Sequence, residues 1–312
     1  MKRNMTSDEL ARDDRFVRMP IPYEFLMADE VTFESVQSLF NSFVQDEKVR
    51  TMVQKQMEDQ GGGLPFFNRS VRPTDDEAPA FMRSSMHGIF MGELQALEGA
   101  GRSCWDYTDD EELPWKFQLD MARQCWDETR HVEIYSALID HVGGDIGQFP
   151  ENVMLFEFAC SDDAAERVVG VNRCLEGLAL DVFDDTIKFG KRAGDECIWR
   201  TVDYVAADEV THVRFGSVWA KELTENDPER RARVVAFQRK VDKAFSFGGL
   251  RGAYDHRTNE VLFPLATQLR ELAGFTSEEI DQVLGSGPQV TIDLAVVEQL
   301  ASAMLSTPPE SE

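Results

Sequence analysis

Apolar residues recur every three or four positions over long stretches of the chain, and strand-like alternation is scarce, so the pattern predicts an all-α protein. An amphipathic stretch, "VTFESVQSLFNSFVQDEKVRTMVQKQM", lies within residues 1–60, and the breaker-rich "GGGLPFFNRSVRPTDDEAP" follows it. A helix is predicted from about 80 to about 101. The turn "DYTDDEELP" ends at Pro114, which suits the first turn of a second helix, and Gly143 and Gly144 supply its stop. Beyond "DIGQFPENV" and a shorter helix, a long helix is predicted over about 163–192. "AGD" breaks it, and Asp195 caps the next long helix. "TENDPERR" ends that helix and begins another. Near the C-terminus, "FTSEEIDQVL" predicts a helix with Thr276 or Ser277 as N-cap, and "STPPESE" reads as a frayed end.

Residues 80–225 thus divide into four long helices, with the longer connection between the second and third. That order suits a four-helix bundle made of two antiparallel pairs. The expected organisation is a helical extension and loop (1–79), the bundle (80–225) and a C-terminal helical extension (226–312).

Two stretches in the bundle match at four of six positions: "DETRHV" from Asp127 and "DEVTHV" from Asp208. Residues three apart on a helix share a face, so Glu128 and His131 can reach one point, as can Glu209 and His212. Both pairs interrupt apolar stripes with the buried-face period. One stripe is Met121, Cys125, Glu128, His131, Tyr135 and Leu138; the other is Ile198, Val202, Val205, Glu209, His212, Gly216 and Trp219. Ionised carboxylates buried there are costly alone, and a bound cation compensates them.

Each motif also has acids upstream: Glu93 and Glu98 in "GELQALEG", Glu176 and Asp181 in "CLEGLALDV". The separations 128 − 93 = 35 and 209 − 176 = 33 are nearly equal. Two helix arms of ~16 residues and a turn span such a distance and bring the sites level. The chain therefore carries an imperfect repeat offset by about eighty residues. Glu93 shares a stripe with Met86, Phe90, Leu97 and Ala100, whereas Glu98 has Gln95 and Arg102 beside it. Glu93 is the expected ligand and Glu98 the reserve. Asp181 and Asp184 read as helix-surface acids.

Four Glu and two His make the ligand set of a di-iron or di-manganese carboxylate site within a four-helix bundle. Oxygen and imidazole donors favour iron or manganese over thiolate-bound zinc. A metal-bound His usually donates its other N–H to a carboxylate. Asp127 and Asp208, at the edges of the stripes, are expected to do this in crossed pairs, Asp208 with His131 and Asp127 with His212.

"GELQALEG", "DETRHVEIY", "CLEGLALDV" and "ADEVTHVRFG" resemble the ferritin-like di-iron carboxylate superfamily. "ELQAL" is similar to the first ligand helix of bacterioferritin and rubrerythrin. The paired DExxH resembles ribonucleotide reductase small subunits and bacterial multicomponent monooxygenases. In detail the likeness is closest to poorly characterised ferritin-like proteins related to the tRNA-modifying di-iron hydroxylases. It covers about residues 80–225 and implies two iron ions, or a manganese–iron pair, with O2 as co-substrate. The additional His of the aminobenzoate N-oxygenases is replaced by Val205, so six ligands are expected: Glu93, Glu128, His131, Glu176, Glu209 and His212.

Composition narrows the function further. The chain has 312 residues and a net charge of −25, which disfavours nucleic acid as a partner. No apolar run approaches the ~20 residues that span a bilayer, and the start lacks a signal-peptide apolar region, so a cytoplasmic protein is expected. Five scattered Cys predict reduced thiols rather than a disulfide frame. Tyr135 has two readings, redox or pocket residue and core packing; Gly216 reads as room for a substrate or as close helix packing; Cys125 reads as a small core residue. His87, His141 and His256 read as structural or exposed. The leading expectation is an O2-dependent oxidase or oxygenase of a small organic substrate, served by an external electron donor, with a homodimer as default. Hydroxylation, N-oxygenation, desaturation and oxidative cleavage all fit it. The alternatives are a ferroxidase or peroxide scavenger, a tRNA hydroxylase, and a metal-free helical module. "GGGLPFFNRSVRP" and "SFGGLRGAYDHR" suit a lid or an anion-binding wall.

Overall fold

A computed structural model describes residues 51, 78–108, 113–149, 154–249, 251, 254–255, 261, 264–286 and 291–292. The fold is all-α. Helix α1 (Ala78–Asp106) and α2 (Trp115–His141) form one antiparallel pair. After the short α3 (Met154–Ala159), α4 (Ala164–Arg167) runs through a π-helical segment (Val168–Leu175) into α5 (Glu176–Ala193). This composite helix pairs with α6 (Glu196–Glu222). Then come α7 (Pro228–Gly249), α8 (Thr267–Leu272) and α9 (Ser277–Gly285). Among the described residues, extended pairing is limited to Tyr254–Asp255 alongside Thr291–Ile292 and an isolated antiparallel bridge between Tyr254 and Val261.

Local chemistry sets the helix ends. Pro114 stands one place outside α2 as its extended N-cap. Past the other end of α2, Gly143 takes a positive φ of 72° and Gly144 N–H donates to the Ile139 carbonyl at 2.9 Å. Asp195 accepts from Ile198 N–H at 3.0 Å, and Thr276 forms a capping box with Glu279. The expected long helix over 163–192 differs in its middle, where π turns replace α turns. Gly170 lies in them because a Cβ there would sit 2.1 Å from the Ala159 carbonyl oxygen.

Two apolar plugs fill the space between the helix pairs. One contains Met86, Phe90, Tyr135, Ile139, Phe183, Val202 and Val205, with contributions from α1, α2, α5 and α6. The other contains Tyr107, Phe117, Met121, Val168 and Trp219. The predicted stripes are buried as expected, except that Leu97 and Cys125 are only partly covered. Between the plugs lie the acids and histidines of the repeat.

The C-terminal extension packs directly on the composite helix. Val241, Ala244 and Phe245 of α7 meet Val171, Cys174 and Leu175, while Phe275, Ile280 and Val283 meet Leu180 and Val213. Here the structure corrects the reading of Asp181. It is buried, and it accepts from Arg251 at 2.9 Å, from Arg270 at 2.9 and 2.7 Å, and from Ala266 N–H at 2.9 Å. Arg251 comes from the segment expected as a lid or wall, and its guanidinium is occupied by this pairing. Asp184 is partly exposed and pairs with Lys188. His87 is buried and accepts from Gly147 N–H at 3.0 Å; His141 reaches Asp195 at 2.9 Å. The loop at 61–73 and His256 lie outside the described residues. No described helix is long and apolar enough to cross a membrane.

Candidate metal centre

All six predicted residues converge, each fully or almost fully buried: Glu93 from α1, Glu128 and His131 from α2, Glu176 from α5, Glu209 and His212 from α6. They form two overlapping quartets. In one, Glu93, Glu128, His131 and Glu209 place ligand atoms within 4.8 Å of one another; in the other, Glu128, Glu176, Glu209 and His212 do so. Glu128 and Glu209 belong to both.

The histidines are arranged alike. His131 Nδ1 lies 3.1 Å from Glu128, 3.0 Å from Glu209 and 3.5 Å from Glu93. His212 Nδ1 lies 3.0 Å from both Glu128 and Glu209. The opposite ring nitrogens face the crossed aspartates, His131 Nε2 to Asp208 and His212 Nε2 to Asp127, both at 3.4 Å. One nitrogen of each ring thus looks into the carboxylate cluster while the other is held from outside.

Burial and charge together set the proton inventory. For Glu93 and Glu176, burial pushes the carboxyl well above its usual range, and nearby Glu128 and Glu209 add to the effect. Burial would also raise Glu128, but the charges and hydrogen bonds of His212 and His131 outweigh it and hold Glu128 far below. Burial would lower both histidines, yet the surrounding carboxylates hold them well above the ordinary imidazole value. Without a cation, the cluster is therefore balanced by protons.

The donor set fits a cation. Glu93 Oε1 and Glu209 Oε1 are buried without a hydrogen-bond partner. Glu209 Oε1 is 3.0 Å from His131 Nδ1 but off the line of a ring N–H, so proximity there is not a hydrogen bond. Orphaned buried acceptors are costly, and a metal ion satisfies them. Glu98 is exposed and takes no part. Val205 is buried in the apolar plug.

Several neighbours were missed by the sequence reading. Gln124 is buried one turn before Glu128 and donates to Glu176 Oε1 at 2.6 Å. Its own carbonyl accepts from Asn172 of the π segment, which also donates to the His212 carbonyl at 3.2 Å. The i, i+4 spacing of Gln124 to Glu128 was the available signal. Arg130 donates to both Asp127 and Asp208, and Arg123 reinforces Asp127. Burial would raise Asp127, but His212, Arg130 and Arg123 hold it well below the carboxylate range. Tyr135 Oη is buried without a partner, and the ring stacks on Phe183 at 5.8 Å. Gly216 serves close packing, since a Cβ would lie 2.7 Å from the Asn172 Cβ.

An uncharacterised protein of Haemophilus influenzae is 25% identical over 208 residues, covering 64% of this chain and 67% of that protein. No solved structure matches. Residues 68–281, which contain all six residues of the centre, match the family described as Protein of unknown function (DUF455), and the chain therefore belongs to that family.

Proposed function

We propose that the protein is a non-haem di-iron oxidoreductase that uses O2 and an external electron donor to oxidise a small organic substrate. The observation that carries the reading is the pair of buried quartets sharing Glu128 and Glu209. One Glu from each of two helices and a Glu–His pair three residues apart from each of the other two make the ligand set of a two-metal site in a helical bundle. Glu93 and His131 would hold one ion, Glu176 and His212 the other, with Glu128 and Glu209 reaching both. Iron bound there supplies the redox chemistry that lets O2 react with a closed-shell substrate. A manganese–iron pair suits the same donors.

The chain's own residues account for the rest. Asp208 and Asp127 fix the ring orientation of His131 and His212, and Arg130 ties the two aspartates to each other. Gln124 holds one oxygen of Glu176 and so sets which way that carboxylate turns. Tyr135, Phe183 and Phe90 cover one side and exclude water, which strengthens the electrostatic interactions within. The net charge of −25 weighs against a tRNA substrate.

The test is elemental analysis of parent protein, Glu128→Ala and His212→Ala after expression with iron and manganese. About two metal ions per chain in the parent, lost from both variants, is the expected result. Metal retained in both variants overturns the centre. O2 uptake by the reduced protein then separates the readings. Uptake that stops once the iron is oxidised marks a ferroxidase; uptake that continues with donor and an organic substrate marks an oxygenase.

A further inference from the structure

We infer that the outer face of the α1–α2 hairpin is the two-fold interface of a homodimer. Three of the five tryptophans of the chain are largely in solvent there: Trp105 at 81% exposure, Trp115 at 73% and Trp126 at 62%, with Leu119 at 52%. On α2 they form one stripe with exposed Ala122, because positions 115, 119, 122 and 126 follow the helical repeat. Trp105 joins it from α1. Cys104 and Cys125 adjoin across the seam, and antiparallel helices wind in opposite senses seen from one end. The residues after them, Trp105 and Trp126, therefore turn to the same side.

Three features point to a second copy of this chain as the occupant. The spacing along α2 is four, three, four, which is palindromic. A two-fold axis between positions 120 and 121 sets Trp115 against Trp126 of the other copy and Leu119 against its Ala122. Large then meets large at the ends, and large meets small at the centre, as a self-complementary contact requires. The area is sufficient: with aromatic side chains of up to ~250 Å2, the exposed fractions amount to roughly 600 Å2 per copy. That gives ~1,200 Å2 in total, the lower bound of stable interfaces before flanking residues are added. The charge is also suitable. The basic residues flanking the stripe are each paired four residues on: Arg102 with Asp106, Lys116 with Asp120, Arg123 with Asp127. The stripe itself, positions 115, 119, 122 and 126, carries no charge, so two such faces can meet without placing like charges at the centre of the contact. The inference is independent of the metal reading.

Sedimentation equilibrium on the full chain tests it, at concentrations on the order of 10 µM. The parent is expected to be a dimer. Leu119→Glu and Trp115→Glu, both at exposed positions, are expected to be monomers with unchanged helical circular dichroism and unchanged metal content. Tryptophan emission should shift to longer wavelength as the parent dissociates on dilution. A monomeric parent overturns the proposal, and so does a dimer that persists in both folded variants. The additional variant Ala122→Glu, next to the proposed axis, must also dissociate the pair.

Discussion

Filling the centre with two divalent cations should expel between two and four protons per chain at neutral pH. Without metal, His131 and His212 are held above the ordinary imidazole value of 6.5, so both carry a proton at pH 7. A ligating imidazole must give that proton up on the cluster side, which accounts for two. Glu93 and Glu176 are raised well above 4.5, and each contributes a further proton as far as its raised value exceeds the pH. Four carboxylates then face four positive charges, so the loaded cluster is as neutral as the protonated one. The sign follows directly: these groups bind protons only in the metal-free state, so raising the pH favours metal. By linkage, the overall two-ion constant should rise by about 10²-fold per pH unit for two protons and about 10⁴-fold for four. Calorimetric titration with manganese(II), in buffers of different ionisation enthalpy, gives the proton count from the slope of heat against that enthalpy. Stoichiometric loading with less than one proton released would refute the reasoning, because the histidines would have been neutral beforehand.

Three further outcomes are expected. Gly170→Ala should cost about 3 kcal/mol, because the new Cβ collides with the Ala159 backbone and neither helix can yield alone. Differential scanning calorimetry should then show a transition about 6–12 °C lower, and an unchanged one would mean that α3 moves freely. Asp181→Asn should cost about 3–5 kcal/mol in urea unfolding, since it leaves two buried guanidiniums short of one charge; a loss below 1 kcal/mol would contradict that. Gln124→Leu should weaken the ion held by Glu176 and His212 by about 10–100-fold and the other ion less, because Gln124 lies 2.6 Å from Glu176 but 3.4 Å from the shared Glu128. Equal weakening of both ions in the same titration would show that Gln124 acts on the whole bundle instead.

The centre was legible because its geometry is local. Glu and His three apart share a helix face whatever surrounds them, and their apolar neighbours at three and four residues reveal that the face is buried. The two equal arms then align Glu93 with Glu128 and Glu176 with Glu209. Asp181 shows where this logic stops. Five residues past Glu176 its side chain has rotated about 140° from the ligand face. There it meets Arg251 and Arg270, 70 and 89 residues away in the chain. No short-range pattern reports such partners. The π segment was equally hidden: the single glycine of "VVGVNRCL", Gly170, reads as an ordinary helix-interior residue, and the close approach of the Ala159 backbone that requires it comes from another helix, α3. The exposed tryptophans of α2 lie off the core stripe, so periodicity alone set them aside.

The Asp181 cluster also limits how this chain can be divided. A fragment ending near residue 225 would keep all four long helices and all six residues of the candidate centre. It would nevertheless lose both guanidiniums and the apolar lining from α7, α8 and α9 that covers the composite helix. A carboxylate shaped for burial would then face water one and a half turns from Glu176, on the helix that positions it. These four helices are thus not a portable module with a decorative tail. The chain's last third is the missing wall of their core, and the two can be exchanged or truncated only together.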